Sequence, residues 1–354
     1  MRKIMGQLAG GTLDEEILAP QSFPSPVPQP PRRDAHWVFV GADGLRAGWG
    51  VALFVLFFVG FAFLSTFVLK HLIPPGHHSN IMSVRTGFIV ELAQFFPLLL
   101  ATACMALIER RSFLAYGYQG TARAARFISG LVCGFIALTA FVLVLWKARL
   151  LAFDGQLLHG AAIWKYAFEW GVLFVVVALF EESTLRGYLQ FTLSRGIGFW
   201  WGALLLSFLF GFSHGTNPGE TPVGLFAAGA VGLVFCLSLW YTGSLWWAIG
   251  CHASWDWAES YFYGTSDSGL VAEGHLFGEH PTGARLWSGG TNGPEGSLLV
   301  LGVLAIMALL MWLWWGRRVQ SPFRDSGWRP AWSRRPAIHT APVPMETESL
   351  SASA

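Results

Sequence analysis

Long apolar stretches alternate with short polar segments along most of the chain. A membrane-crossing helix needs about 20 mostly apolar residues to span about 30 Å of hydrocarbon, and eight stretches approach that length. They lie at residues 47–69, 87–108, 127–146, 163–182, 198–215, 223–240, 244–262 and 297–315, each bounded by charges or by Gly and Pro. The pattern predicts an all-α fold, a polytopic membrane helix bundle with about eight transmembrane helices.

The composition agrees with a membrane environment. Of the residues, 53% are hydrophobic and 12% are charged, about half the charged share of an ordinary soluble domain. A formal net charge of +2 gives no electrostatic reason to expect nucleic acid as a partner. The four cysteines lie in apolar stretches and form no CxxC pair, which argues against a disulfide framework and a thiolate zinc site. The lipid bilayer is the expected partner.

The polar segments divide the chain into a membrane domain and two tails. Residues 1–46 are rich in Pro and predict an extended cytoplasmic tail. Residues 47–315 form the membrane domain, and its candidate chemistry is concentrated at about 160–262. Residues 316–354 are basic and then Ser-rich, which is typical of a disordered cytoplasmic tail. The Gly-rich connection 264–296 is long for a compact bundle and is expected to be either a lid or a flexible connector.

The distribution of Lys and Arg predicts the orientation in the membrane, because cytoplasmic segments retain these residues. With the N-terminus inside, the inner segments hold 17 of the 23 Lys and Arg side chains and the outer segments hold six. The chain is therefore expected to be a multi-pass protein of the cell membrane with an even number of spans and both termini in the cytoplasm.

Ionisable side chains within the spans are functional candidates, because a charge in lipid is costly. Glu91 and Glu169 stand alone, and snorkelling or a structural hydrogen bond explains each without chemistry. The other candidates form a dense group on three spans. They are Glu181, Glu182, Arg186, His214, His252, Asp256 and Glu259. A polar network that only holds helices together is the structural alternative for this group.

Helical spacing organises these residues. Glu182 and Arg186 are four residues apart, as are His252 and Asp256, so each pair shares a helix face. Glu181 is about 100° away from Glu182 around the helix. One of the two carboxylates can therefore face a cavity while the other takes Arg186 as its partner.

The fourth and fifth spans predict a helical hairpin. The fourth helix is expected to continue to a turn at Gly196-Ile197-Gly198. Glu181 and His214 are equally far from that turn, so they are expected to face each other. His252 follows Thr242-Gly243 by about nine residues, so it is expected to lie somewhat closer to the cytoplasmic side unless the hairpin turn projects beyond the membrane.

A carboxylate near two imidazoles supports two kinds of hydrolysis. Glu181 could take a proton from a water that attacks a carbonyl, with His214 and His252 donating hydrogen bonds to the oxyanion. Alternatively, these three side chains could hold a divalent metal such as zinc that activates the water. Glu182 or Asp256 would then be the base or would support a ligand. The sequence leaves both mechanisms open.

Three ordered motifs carry a resemblance to a known family. EExxxR stands at residues 181–186 and is followed by Gly187, FxxxH stands at 210–214, and HxxxD stands at 252–256. The chain resembles the CPBP family of intramembrane proteases. That family contains the type II CAAX prenyl endopeptidases and many bacterial proteins linked to bacteriocin self-immunity.

The resemblance implies an endopeptidase of membrane-associated or lipidated protein or peptide substrates, with residues 47–315 as the protease domain and a cavity open towards the cytoplasm. It implies that Glu181 activates water, that His214 and His252 contact the oxyanion or a metal, and that Asp256 orients its neighbour. Glu182 and Arg186 belong to the same catalytic set. The implied enzyme is a glutamic endopeptidase or a metalloprotease, with no obligatory cofactor and possibly a divalent metal such as zinc. A mostly bacterial family favours a bacterial source.

A different class of protein is the alternative. The same buried carboxylates would suit a non-catalytic immunity or scaffold protein, or a proton-coupled transporter.

Overall fold

The computed structural model of the chain describes residues 36–41, 44–72, 81–217 and 219–325. Most of the two predicted tails, residues 1–35 and 326–354, lies outside the described residues.

Long helices joined by compact connections make up the described part of the chain. The helices are α1 (Ala47–Leu72), α2 (Val84–Ile108), α3 (Arg123–Lys147), α4 (Ala161–Arg186), α5 (Tyr188–Gly196), α6 (Phe199–Ser213), α7 (Pro222–Thr242), α8 (Trp246–Asp256) and α9 (Val300–Met311). The last two continue as π-helical turns at Trp257–Tyr263 and Trp312–Gly316. Short helical turns also occur at His36–Phe39, Phe113–Ala115, His214–Thr216, Arg285–Ser288, Gly290–Asn292, Pro294–Gly296 and Pro322–Asp325.

The prediction of a helical membrane bundle is confirmed, and each predicted span coincides with a helix. By length and composition, five helices of the described chain are long and apolar enough to cross a membrane. They are Ala47–Lys70, Val84–Ile108, Arg123–Lys147, Ala161–Gly196 and Pro222–Thr242. The fifth, seventh and eighth predicted spans coincide with α6, α8 and α9, which are shorter.

The fourth predicted span, 163–182, lies within α4, but the expected continuation of this helix up to the hairpin turn is interrupted. The backbone leaves the helical conformation at Gly187, with φ −81° and ψ −127°, and α5 begins at the next residue. A Cβ atom at Gly187 would lie 2.2 Å from the Ser183 carbonyl oxygen, so this break requires glycine. The chain then turns at Ile197 and Gly198 and enters α6.

Close backbone contact fixes α8 against α3. A Cβ atom on Gly130 would lie 2.2 Å from the Trp247 carbonyl oxygen, and one on Gly134 would lie 2.2 Å from that of Cys251. Small residues four apart let two membrane helices approach in this way. The residue after Cys251 is His252, so this packing sets the position of one candidate site residue.

Four connections meet at one end of the bundle, which we call the strand-bearing end. They are residues 81–83, 148–160, 214–221 and 264–299, and they carry the strands β1 (Ile81–Met82), β2 (Leu151–Gln156), β3 (Val271–Ala272) and β4 (Phe277–Pro281). β1 pairs with β3 in parallel, and β2 pairs with β4 antiparallel, with Leu151 opposite Pro281 and Gln156 opposite Phe277. The Arg285 guanidinium donates to the Gly219 carbonyl oxygen at 3.1 Å, which ties the third connection to the fourth.

The remaining connections meet at the opposite end, which we call the arginine-rich end. They are residues 109–122, 197–198, 243–245 and 317–325. The Leu245 amide donates to the Gly117 carbonyl oxygen at 2.9 Å. The Phe323 ring packs against the Phe199 ring at a tilt, with ring centroids 4.6 Å apart. These contacts join the helix ends that lie away from the strands. A small antiparallel strand pair, Val40–Gly41 with Gly44–Leu45, precedes α1 at this end.

A buried carboxylate, Glu109, holds the arginine-rich end together. Arg195 donates to both of its oxygens, at 2.9 and 2.8 Å, and the Tyr188 hydroxyl donates to Oε1 at 2.7 Å. Tyr116 donates to Oε2 at 3.3 Å, and the Arg111 Nε lies 3.5 Å from that oxygen. The network therefore joins α2, α5 and the connection between α2 and α3.

Replacing Tyr188 by Phe is expected to destabilise the bundle. The change removes a hydrogen bond to a charged group, which contributes about 1.5–3 kcal/mol. Tyr116→Phe is the matched control, because its bond to the same carboxylate is longer and its loss should cost less. Thermal unfolding in detergent measures both. Equal unfolding temperatures for the Tyr188 variant and the unmodified protein would contradict this account of the network.

Candidate active site

A partly enclosed cavity of about 170 Å³ lies within the bundle towards the strand-bearing end. Helices α2, α4, α6, α7, α8 and α9 all contribute side chains to its wall. Its apolar wall includes Phe174, Val231 and Leu304. The polar part contains four of the six predicted site residues, Glu181, His214, His252 and Asp256.

The adjacent glutamates on α4 have different environments. Glu181 lines the cavity, and 26% of its side chain is exposed. The Glu182 side chain is completely buried, and its Oε1 lies 3.0 Å from Arg186 Nη1. This difference follows from the angle of about 100° between consecutive residues on a helix. Of these two glutamates, Glu181 is therefore the one that a molecule in the cavity would contact.

His252 lies between three carboxylates. Its Nδ1 is 3.0 Å from the same Glu182 Oε1 that accepts from Arg186, so this nitrogen is a donor to a carboxylate that is already paired with a cation. Its Nε2 lies 3.5 Å from Glu181 Oε2 and 3.5 Å from Asp256 Oδ2. Glu182 thus fixes the orientation of the ring and leaves Nε2 at the cavity.

Arg186 contacts Glu182 through one nitrogen. In the described part of the chain, its Nε and Nη2 have no hydrogen-bond partner, so the pairing is not two-pronged. The guanidinium carbon instead lies 4.8 Å from the Phe210 ring centroid and 5.6 Å from that of Phe235, within the range of a cation–π interaction. Arg186 is almost completely buried beside the cavity and does not line it.

His214 follows the last residue of α6, and its tautomer is defined by one contact. Its Nδ1 lies 2.8 Å from the Phe210 carbonyl oxygen, which can only accept, so Nδ1 carries a proton. The neutral ring therefore presents a lone pair on Nε2, and only the doubly protonated ring can donate from that nitrogen. The ring is half-buried and lines the cavity.

The structure brings Glu181, His214 and His252 to the wall of one cavity. Nε2 of His252 lies 3.5 Å from Glu181 Oε2, so the expectation that His252 lies closer to the cytoplasmic side than Glu181 is wrong.

The expected metal ligands are not gathered into a site. The described residues contain no group of three or more His, Cys, Asp or Glu side chains that could hold a metal ion. His252 Nδ1 donates to Glu182, so Nε2 is the nitrogen of that ring that faces the cavity, 3.5 Å from Glu181 Oε2 and 3.5 Å from Asp256 Oδ2.

The structure adds cavity residues to the dense group predicted from sequence. Glu91 on α2 lines the cavity, although it stands alone in the sequence, where snorkelling or a structural hydrogen bond explains it. Asp267, Ser268 and Glu295 come from the Gly-rich connection, and the Ser268 hydroxyl donates to Glu295 Oε2 at 3.0 Å. The Gly-rich connection therefore covers part of the cavity. Burial, together with the neighbouring Glu295 carboxylate, raises the pKa of Asp267 to about 7.

Two other acidic candidates lie away from the cavity wall. Glu259 is fully buried in the π-helical turn, and its Oε2 accepts from Trp255 Nε1 at 2.8 Å. The same indole nitrogen lies 3.1 Å from Glu295 Oε1, so Trp255 anchors the Gly-rich connection to α8. Glu169 is paired at 3.8 Å with Lys165 on an exposed face of α4.

Comparison with known proteins gave one match to a family model. Residues 163–258 match the family model described as Type II CAAX prenyl endopeptidase Rce1-like. The matched segment runs from α4 to the start of the π-helical turn after α8 and contains all three motifs. Searches of curated proteins and of solved structures found no match.

Proposed function

From the match of residues 163–258 to the type II CAAX prenyl endopeptidase Rce1-like model, we propose that the chain is a CAAX-type membrane endopeptidase of the CPBP family. It hydrolyses peptide bonds with water activated by Glu181. The substrates are membrane-associated or lipidated proteins or peptides. The observation that carries the proposal is the separation of the two glutamates. Glu181 faces the cavity, whereas Glu182 is buried and bound to Arg186.

In the proposed reaction, Glu181 takes a proton from a water molecule in the cavity, and the oxygen attacks the carbonyl carbon of the scissile bond. The developing oxyanion accepts hydrogen bonds from Nε2 of His252 and of His214. Because Nδ1 of each ring already donates to another group, both rings are doubly protonated in this step. Glu181 then gives its proton to the leaving amine. The 3.5 Å distance from Glu181 Oε2 to His252 Nε2 is compatible with both groups contacting one substrate amide.

Glu182 and Asp256 position the His252 ring. Glu182 accepts from Nδ1 and holds the ring in place, and Arg186 keeps that carboxylate paired. Asp256 lies one helical turn after His252, 3.5 Å from Nε2, and orients this nitrogen from the other side. Both neighbours are positioning residues.

Cleavage of a membrane peptide library by the purified protein tests the function. We expect discrete cleavage products in detergent or in lipid vesicles. If no library member is cut while the protein remains folded, the immunity, scaffold and transporter alternatives replace the peptidase.

Treatment with a strong chelator is expected to leave the rate of cleavage unchanged, because no step of the proposed reaction uses a metal ion. A metal enzyme of this kind would lose metal and activity together and recover with zinc. Metal content is measured in parallel in the unmodified protein and in His252→Ala. Stoichiometric zinc that disappears in step with activity in the variant would overturn the metal-free mechanism.

A further inference from the structure

Glu91 is a carboxyl group of the cavity wall that lies outside the segment matched by the family model. It belongs to α2 and follows the first residue of that helix, Val84, by about 10 Å along the helix axis. The matched segment begins at residue 163. The three motifs therefore assign no role to Glu91.

Close packing of α2 against α4 directs Glu91 into the cavity. Gly87 lies one helical turn before Glu91 on the same face of α2. A Cβ atom at Gly87 would lie 2.7 Å from Leu173 Cδ2 on α4. Because both helices begin at the strand-bearing end, the next turn of α2 brings Glu91 level with Val177, which also lines the cavity. Glu181 lies one turn further along α4, so Glu91 is a neighbour of the proposed base.

Glu91 lacks the partners of a structural carboxylate. Among the described residues that line the cavity, it alone has a side-chain oxygen, Oε2, that is fully buried and has no hydrogen-bond partner. Buried polar atoms without a partner are rare in folded proteins, and each one costs free energy. A structural hydrogen bond of this oxygen therefore does not explain Glu91. Snorkelling does not explain it either, because the side chain faces the cavity.

The neighbours of Glu91 determine its charge. Its carboxyl group interacts repulsively with the Glu181 carboxylate and attractively with protonated His252. That ring already has three carboxylate oxygens within 3.5 Å of its nitrogens, so its charge is compensated without Glu91. A second anion beside ionised Glu181, with one oxygen buried and unpartnered, would be costly. Glu91 is therefore uncharged when Glu181 acts as the base, and its O–H group is a hydrogen-bond donor.

We propose that Glu91 is a substrate-binding residue that donates a hydrogen bond to a backbone carbonyl oxygen of the polypeptide in the cavity. This inference rests on the proposed function and extends the site from the three motifs to α2. An extended polypeptide advances about 3.3 Å per residue, so a carbonyl group one helical turn from Glu181 belongs to a residue one or two positions from the scissile bond. Between apolar walls such as Phe174 and Val231, that carbonyl loses its water and needs a donor.

Two substitutions separate a donated hydrogen bond from a charge at this position. Glu91→Gln keeps a neutral side chain of the same size with an N–H donor, whereas Glu91→Leu has no polar atom. For cleaved library peptides, we expect KM to rise about tenfold in Glu91→Leu, which corresponds to about 1.4 kcal/mol, and less than threefold in Glu91→Gln. The value of kcat should change by less than threefold in both. Glu169→Leu, which removes a carboxyl group from an exposed face of α4, is the control and should leave KM unchanged.

The contrast between the two variants decides the role of Glu91. An unchanged KM in Glu91→Leu, or an equally large rise in Glu91→Gln, would overturn the donated hydrogen bond. Thermal unfolding in detergent checks for a structural role. We expect Glu91→Leu to unfold at the same temperature as the unmodified chain or at a higher one, because the substitution removes an unpartnered buried oxygen. Lower unfolding temperatures in both variants would make Glu91 a structural residue and would also overturn the proposal.

Equilibrium binding distinguishes this inference from the proposed function. The same library peptides are titrated into Glu181→Gln, which is expected to bind without efficient cleavage, and into the double variant that also carries Glu91→Leu. Binding that is about tenfold weaker in the double variant would support the contact even if the unmodified chain cleaved none of the peptides. That failure of cleavage would count against the proposed function alone. Equal binding by the two chains, or no binding by either, would overturn the contact.

Discussion

Replacing Glu181 by Gln is expected to reduce the rate of peptide cleavage by about a hundredfold or more, because general base catalysis contributes factors of this size. Gln keeps the size and polarity of the side chain but cannot take a proton from water. Glu181 lines the cavity and is partly exposed, so the substitution leaves no buried cation without a partner. Single-turnover cleavage of a library peptide measures the effect.

A matched control lies on the same helix. Glu169→Gln makes the same isosteric change on an exposed face of α4, where Glu169 Oε2 lies 3.8 Å from Lys165 Nζ. Exposed pairs of this kind contribute about 0–1 kcal/mol, so activity and stability should both be retained. If Glu181→Gln cleaves as fast as the Glu169 variant, Glu181 is not the base.

The helical bundle and the pairing of Glu182 with Arg186 could be predicted from sequence, because both depend on the local spacing of residues. Stretches of about 20 apolar residues specify helices that suit a membrane. The spacing of Glu182 and Arg186 places them on one face, and the structure has them 3.0 Å apart. Each of these inferences needs only residues within a few helical turns of one another.

The remaining cavity residues could not be predicted because long-range packing brings them in. Asp267 reaches the wall on a connection that is held by pairing of β3 with β1, nearly 190 positions earlier in the chain. Glu91 has no partner at helical spacing, and the packing of α2 against α4 alone brings it near Glu181. Neither relation has a signature in the local sequence.

The depth of His252 could not be predicted for a different reason. Its depth relative to Glu181 depends on whether the turn between the fourth and fifth spans projects beyond the membrane, and Gly187 interrupts the fourth helix before that turn. A glycine after a charged motif residue has no unique structural meaning in sequence, because glycine is tolerated both inside membrane helices and at breaks. Only the close approach of the Ser183 carbonyl reveals its role.

Replacing Arg186 by Met is expected to destabilise the protein by about 3–5 kcal/mol, because it leaves the fully buried Glu182 carboxylate without its cation. Cleavage should fall as well, since Glu182 also holds His252 by Nδ1. Arg186→Lys is expected to cost less, because it keeps the charge. It loses the flat guanidinium that lies over the Phe210 ring. Thermal unfolding in detergent and single-turnover cleavage measure both variants.

Gly232→Ala provides an independent test of the same contact, because it leaves every charge in place. A Cβ atom at Gly232 would lie 2.6 Å from Arg186 Nη2, so the guanidinium must move away from its present position. We expect this variant to resemble Arg186→Lys in both stability and cleavage. Full activity and stability in Arg186→Lys and Gly232→Ala together would mean that specific pairing with Glu182 is the wrong account. Arg186 would then be an interfacial arginine that marks the cytoplasmic side of the membrane.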